Sequence, residues 1–193
     1  MPAFHTAGFV LAGGRSSRMG TDKSALLWDG TPLLARAVNV VHAATGSVII
    51  VGHPAIQNTG STPVIFDRIR GAGPLGGLHA ALAWSSVPWN LIVACDMPLL
   101  DSKVLEAILE RAHSQPECDA VIPVCDGAPQ PLCAAYHRRA LPAVEAALAA
   151  GTFKMMAAIE GLRISRIEML SPAAFCNVNS PEDWNTLLSE KST

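Results

Sequence analysis

Two unbroken apolar runs, Val48-Ile49-Ile50-Val51 and Leu91-Ile92-Val93-Ala94, constrain this chain more than any other feature. Each has strand length, the first is rich in β-branched side chains, and neither alternates with polar residues. A strand that is apolar on both sides must be covered on both faces, which is the situation of a parallel sheet between helical layers. Residues 9–11 form a similar short run. Between them and residue 48, Leu33, Leu34, Ala37, Val38 and Val41 recur at the helical period, and Gly46 is placed to stop the helix. Thr31-Pro32 reads as an N-cap followed by proline at the first helical position. Strand, loop, helix and strand in that order make a βαβ unit.

The remaining segments extend the pattern. Residues 64–66 predict a short strand ending at Asp67. Residues 68–77, with their glycines and proline, read as a second ligand-facing loop, and a helix over 79–84 follows Gly76-Gly77. The strand over 91–94 delivers Asp96, and Asp101-Ser102 caps a helix over 103–113. A strand over 120–124 is followed by the turn Asp126-Gly127, and residues 130–136 lead into another strand. Helices are expected over 141–149 and 152–159, an alternating edge strand over 164–170 and a last short strand over 175–178. Ser180-Pro181-Glu182-Asp183 starts a final helix with Trp184, Leu187 and Leu188 inward. The whole reads as one α/β domain, with residues 130–161 as a candidate subdomain over the sheet.

Composition bounds the partners. Hydrophobic residues make up 50% of the 193 and charged residues 16%, with a mean hydropathy of +0.30, in keeping with a sheet covered on both faces. No apolar run approaches the length of a membrane span. A net charge of −2 argues against a nucleic-acid surface, so anion binding must come from local placement. Five cysteines, with no Cys-x-x-Cys pair, read as buried free thiols in a reducing cytoplasm.

Chemistry concentrates after the first strand, in Leu11-Ala12-Gly13-Gly14-Arg15-Ser16-Ser17-Arg18-Met19-Gly20-Thr21-Asp22-Lys23. Glycines let backbone N–H groups approach a ligand closely, and Arg18 and Lys23 add fixed positive charge, as a phosphate cradle needs. Neither Gly-x-x-x-x-Gly-Lys-Ser/Thr nor Gly-x-Gly-x-x-Gly is present; the competing reading is a solvated loop with incidental cations. Asp96 lies at a strand's carboxyl end, where open α/β sheets place their ligands. Because Asp101-Ser102 already caps the next helix, we read Asp96 as a Mg²⁺ ligand beside phosphate. The lone His79, with no partner adjacent in sequence, reads as a packing residue.

The pattern Leu-Ala-Gly-Gly-x-Ser-x-Arg-Met-Gly-x-Asp-Lys over residues 11–23 resembles the signature of the molybdenum cofactor guanylyltransferases, the MobA family. Gly73-Pro74-Leu75-Gly76-Gly77, Cys95-Asp96-Met97-Pro98 and Asn177-Val178-Asn179-Ser180-Pro181-Glu182 resemble later family segments, in order along the chain. The resemblance implies a Rossmann-like, three-layer α/β nucleotidyltransferase with a mostly parallel central sheet. It implies transfer of GMP from GTP to molybdopterin or the molybdenum cofactor, with Mg²⁺, in the cytoplasm, and contact with apo-molybdoenzymes or their chaperones.

The same resemblance assigns roles. Leu11, Ala12, Gly13 and Gly14 hold the nucleotide; Arg18 and Lys23 neutralise the triphosphate; Asp96 binds the metal and the nucleotide. Asp67 contacts base or ribose, and Gly76 and Gly77 shape the nucleotide pocket. Asn177 and Asn179 complete the metal or acceptor site, Asn179 being equally readable as a helix-entry residue, and Lys154 contacts the acceptor phosphate. Two positions depart from the family: Val51-Gly52-His53 where an asparagine is common, and Phe153-Lys154 where paired basic residues are. A cytidylyltransferase on the same cofactor is the nearest alternative, though its signature has Leu-Ala-Ala-Gly where this chain has Leu11-Ala12-Gly13-Gly14. A non-catalytic nucleotide-binding chaperone is the alternative of another class.

Overall fold

In the computed structural model the described residues are 6–12, 25–54, 56, 59–69, 71–169 and 172–191. Strands β1 (Thr6–Leu11), β4 (Val48–Gly52), β5 (Val64–Phe66), β6 (Trp89–Ala94), β7 (Ala120–Cys125), β9 (Cys133–His137) and β10 (Ile164–Glu168) line up as β10-β7-β9-β6-β1-β4-β5. A two-residue strand, β8 (Ala128–Pro129), pairs with β7, and β2 (Leu27–Trp28) pairs with β3 (Thr31–Pro32) in a separate hairpin. Along that order neighbours are parallel except at β9, which runs antiparallel to both β6 and β7, and the added β8 is antiparallel to β7. Both hairpin turns have two residues at positive φ, Asp29-Gly30 and Asp126-Gly127, the mirror-image turn that suits the twist of paired strands.

Side chains alternate between two cores. Val10, Ile50, Leu91 and Val93 face the layer formed by α1 (Leu33–Thr45) and α3 (Ser102–Ser114). Phe9, Leu11, Ile49, Val51 and Ile92 face the opposite layer of α2 (Pro74–Trp84), α4 (Leu141–Ala149) and α5 (Met155–Ala158). Burying each such aliphatic or aromatic side chain contributes roughly 1.5–3 kcal/mol, so the doubly covered sheet is the main source of stability. A third, smaller cluster packs α6 (Pro181–Lys191) on the β2–β3 hairpin through Trp28, Leu33, Val178 and Leu187, with Trp28 and Trp184 edge to face at 5.9 Å.

Several expected boundaries move. Helix α1 starts at Leu33, not after a Thr31 cap: Thr31 and Pro32 are taken into the hairpin, and the Leu33 N–H bonds the Leu26 carbonyl at 2.9 Å. Residues 175–178 are not a strand; a 3-10 turn over Pro172–Phe175 sends Phe175 into the α1/α3 core instead. Leu188 is 41% exposed rather than inward. Only Cys125 and Cys133 are buried; Cys95 and Cys118 are half-buried and Cys176 is exposed. Helix α5 is four residues, shorter than expected.

One buried charge ties the edge strand to the sheet. The Asp119 carboxylate accepts from the Arg163 main-chain N–H at 3.0 Å and from its Nε and Nη2 at 3.0 and 2.8 Å, and Arg139 Nε lies 3.2 Å away. The hydrogen bonds from Arg163, against an opposing desolvation cost, hold the Asp119 carboxyl below its ordinary pKa. Stability from a depressed carboxyl is complete above the unfolded-state pKa, near 4, and is lost as pH falls through the folded value. Asp119→Asn should therefore lower stability at pH 7 by about 1–2 kcal/mol, kept modest because Arg163 is well solvated. It should also flatten the decline below about pH 4; urea unfolding at pH 7 and pH 3 reads both, and parallel curves for variant and parent refute the tie.

Candidate active site

The carboxyl ends of β1, β4, β5 and β6 open on the same edge of the sheet, because all four strands are parallel. Leu11 is paired with Ala94 and with Val51 across the ladder, the Ala12 N–H bonds the Val51 carbonyl at 2.8 Å, and the Cys95 N–H bonds the Leu11 carbonyl at 3.2 Å. Ala12, where the glycine-rich segment begins, is thereby fixed beside the start of the Cys95-Asp96 turn. Gly13, Gly14, Arg18 and Lys23 lie outside the described residues.

Two clefts flank this point. The first is lined by Leu11, Val51, Gly52, Asp67, Gly73, Pro74 and Gly77. Its floor is the beginning of α2, which starts at Pro74 rather than after Gly77, so Gly76 and Gly77 are helical, not loop. Gly73 enters the helix at φ 56°, which a side chain would resist, and Pro74 supplies the preset first turn. Gly76 is where it is because of Asp67: a Cβ there would stand 2.4 Å from Asp67 Oδ2 and 2.8 Å from Cγ and Oδ1. A Cβ on Gly77 would press on Leu11 at 3.1 Å. Asp67 follows β5, its N–H bonding the Gly52 carbonyl at 3.2 Å and its Oδ1 accepting the Ile69 N–H at 2.8 Å. The carboxylate is thus aimed from two sides. Gly76→Ala should leave stability within about 1 kcal/mol, since helix propensity gained offsets the Asp67–Ile69 bond lost. On the sequence expectation that Asp67 contacts nucleotide, the KM for nucleotide should rise by about tenfold as the carboxylate is pushed off its seat; an unchanged KM removes Asp67 from nucleotide contact.

The second cleft, of 230 Å³, is lined by Asp96, Met97, Gln130, Pro131, Leu132, Asn177 and Asn179. Asp96 comes from the turn after β6, and its carbonyl accepts the Val178 N–H at 2.9 Å, which draws residues 177–179 over the strand end. Ser180 and Asp183 then cap α6 reciprocally: the Asp183 N–H bonds Ser180 Oγ at 3.2 Å, while Asp183 Oδ2 accepts the Asn179 and Ser180 N–H groups at 2.7 and 2.8 Å. The cap is Ser180, and Asn179 is among the residues lining the cleft. Asp101 caps α3, accepting the Val104 N–H at 3.0 Å.

Asp96, Asn177 and Asn179 therefore share one cleft, while Leu11, Asp67 and Gly77 share the other. Lys154 is exposed at the start of α5, on the α2/α4 layer, and lines neither. His79 does have a partner: its Nε2 lies 3.6 Å from Glu145 on α4, joining two helices away from the strand ends. Gln130, Pro131 and Leu132 line the Asp96 cleft without having been given a role in sequence. No group of three or more His, Cys, Asp or Glu side chains placed to hold a metal ion occurs among the described residues, and none of the described helices is long and apolar enough to cross a membrane.

A parallel sheet whose carboxyl edge gathers a strand opening into a glycine-rich segment and two aspartates from different strands is the architecture of an α/β nucleotide-handling enzyme, here a nucleotidyltransferase. A model of the MobA-like NTP transferase domain matches residues 8–164, and the chain belongs to that family. It is 30% identical over 187 residues to the probable molybdenum cofactor guanylyltransferase of Halalkalibacterium halodurans, covering 91% of this chain and 94% of that protein. The corresponding protein of Bacillus cereus (strain B4264) is 31% identical over 188 residues, covering 92% and 93%. Among solved structures, molybdopterin-guanine dinucleotide biosynthesis protein A of Archaeoglobus fulgidus superposes with a TM-score of 0.81 at 26% identity, over 96% of this chain and 98% of that one.

Proposed function

We propose that this enzyme transfers GMP from GTP to the terminal phosphate of molybdopterin, or of its molybdenum-loaded form, releasing pyrophosphate. The observation that carries the reading is the pair of clefts on one sheet edge, with the β1 strand end between them. Asp67 and Asp96 follow β5 and β6, three strand spacings apart, about 14 Å at ~4.8 Å per strand. A nucleoside triphosphate laid along the edge reaches from a base at the Asp67 cleft to phosphates beside Asp96. The names of the relatives supply the choice of GTP and molybdopterin.

An oxygen of the acceptor phosphate forms the new bond to the α-phosphorus while the α–β phosphoanhydride bond breaks and pyrophosphate departs. A phosphate monoester is already largely dianionic at pH 7, so no general base is required. The protein's task is alignment and charge neutralisation. The Asp67 cleft holds the nucleoside, Ala12 fixes the start of the glycine segment beside the phosphates, and Arg18 and Lys23 balance the triphosphate and the leaving pyrophosphate. The second cleft is lined by one carboxylate and three carboxamides, with no thiol or imidazole among the lining residues, a set of hard oxygen donors that fits Mg²⁺. Asp96, with Asn179 beside it, would hold the ion, which supplies charge neutralisation at the α-phosphate.

The test is direct: purified protein, Mg²⁺, molybdopterin and either GTP or CTP, with the dinucleotide product and pyrophosphate both quantified. GMP transfer is expected. Preferential CMP transfer makes the enzyme a cytidylyltransferase, and nucleotide binding without either product makes it a carrier.

A further inference from the structure

We propose that Gln130 is an acceptor-binding residue, its side-chain amide donating to the acceptor's phosphate beside Asp96; this rests on the function proposed above. Strand β9 is the one strand of the main sheet's central run that points the other way, so its entry, not its exit, lies at the edge where β1 and β6 end. The β6–β9 register pairs Val93 with Cys133, and the Ala94 N–H continues it by bonding the Leu132 carbonyl at 2.8 Å. Just before β9 the chain turns over residues 130–133, and this turn brings Gln130 to the 230 Å³ cleft that Asp96 also lines.

The backbone at Gln130 is held from several directions. Its N–H bonds the Pro123 carbonyl at 2.8 Å and its carbonyl accepts the Cys133 N–H at 3.1 Å. The fully buried Tyr136 donates its hydroxyl to the Pro131 carbonyl at 2.8 Å, bracing the next residue. The side-chain amide makes one long contact, Nε2 to the Ala128 carbonyl at 3.4 Å. An amide nitrogen carries two N–H donors, so at least one is left to offer.

The chemistry of the cleft favours such a donor. The ion that Asp96 would hold offsets one carboxylate, whereas a second carboxylate opposite would face the phosphate dianion with uncompensated negative charge. A carboxamide binds the phosphate oxygens without adding negative charge, and a braced one loses little side-chain freedom in doing so. Gln130, Asn177 and Asn179 thus make the cleft wall neutral around a single acid.

The test compares wild type, Gln130→Leu and Gln130→Glu in GMP transfer with acceptor and GTP varied separately, each variant first checked for an unchanged Tm. Gln130→Leu should raise the acceptor KM about tenfold and Gln130→Glu by about a hundredfold, the second exceeding the first because a carboxylate faces the phosphate. The KM for GTP should stay within twofold. Unchanged acceptor KM in both variants overturns the proposal, as does a parallel rise in the GTP KM. Glutamate performing as well as glutamine also overturns it, since the residue would then only fill space. Failure of the wild type to transfer GMP to molybdopterin overturns the function itself and this inference with it, whereas normal wild-type transfer with inert variants removes Gln130 alone.

Discussion

Under the proposed function, Asp96→Ala should fold normally and lose GMP transfer by a factor of about 10²–10³, the effect of removing one preorganised electrostatic contact from a transition state, about 2.7–4 kcal/mol. The fold should survive because the links that shape this corner are main-chain ones: the Asp96 carbonyl holds Val178, and Cys95 is bonded to Leu11. Activity should not survive, because the other described residues lining the cleft are apolar or neutral amides and none replaces the carboxylate. Asp96→Asn should behave like the alanine variant, since it keeps the shape and removes the charge. On the proposed division of the site, in both variants the Mg²⁺ concentration giving half-maximal rate should rise sharply while the KM for nucleotide changes little. Wild-type turnover in either variant removes Asp96 from the mechanism.

What could be read from the chain follows from which signals are local. The runs over 48–51 and 91–94 became central parallel strands because nothing but double coverage accommodates such side chains. Asp67 and Asp96 stood out as candidates because Asp67 directly follows β5 and Asp96 lies in the turn after β6, and a carboxyl strand end is a position that the sequence marks. The start of α2 was misread: two glycines argue against helix by about 1 kcal/mol each, and they are tolerated only because Asp67 and Leu11 occupy the space their Cβ atoms would take. That reason lies over 8 residues away for one glycine and over 60 for the other. The direction of β9 was equally hidden, since a period of two reads the same both ways. Reversal of that strand is what carries Gln130 to Asp96, so the residue entered the cleft by topology rather than by motif. Residues 175–178 had the composition of a strand but meet no free strand edge, and Phe175 is worth more as core filler.

Gly8→Ala is expected to be strongly destabilising, because the added methyl group meets a packed helix end. Gly8 lies in the middle of β1, the strand flanked by β4 and β6, where α1 ends against the sheet. A Cβ there would stand 2.4 Å from Val41 Cγ1, 2.6 Å from Thr45 Oγ1 and 2.8 Å from the Ser47 carbonyl oxygen. Val41 is fully buried and cannot rotate away without striking its neighbours. Thr45 Oγ1 lies between the Val41 and Ser47 carbonyls, at 2.8 and 2.5 Å, sharing its one proton with them, and Ser47 presents backbone, which yields least. The strand must therefore shift from the helix, and overpacking of this kind costs about 3 kcal/mol. For a chain of this size that lowers Tm by roughly 6–12 °C. Because β1 ends at Leu11, the displacement also reaches Ala12 and the start of the glycine segment, so kcat should fall even below the melting range. Val41→Ala removes the tightest of the three contacts, and Gly8→Ala with Val41→Ala should lose less stability than the two separate losses added together, by about 1 kcal/mol of coupling. Strict additivity in urea unfolding would mean that α1 retreats as a body and that Val41 is not where the strain resides.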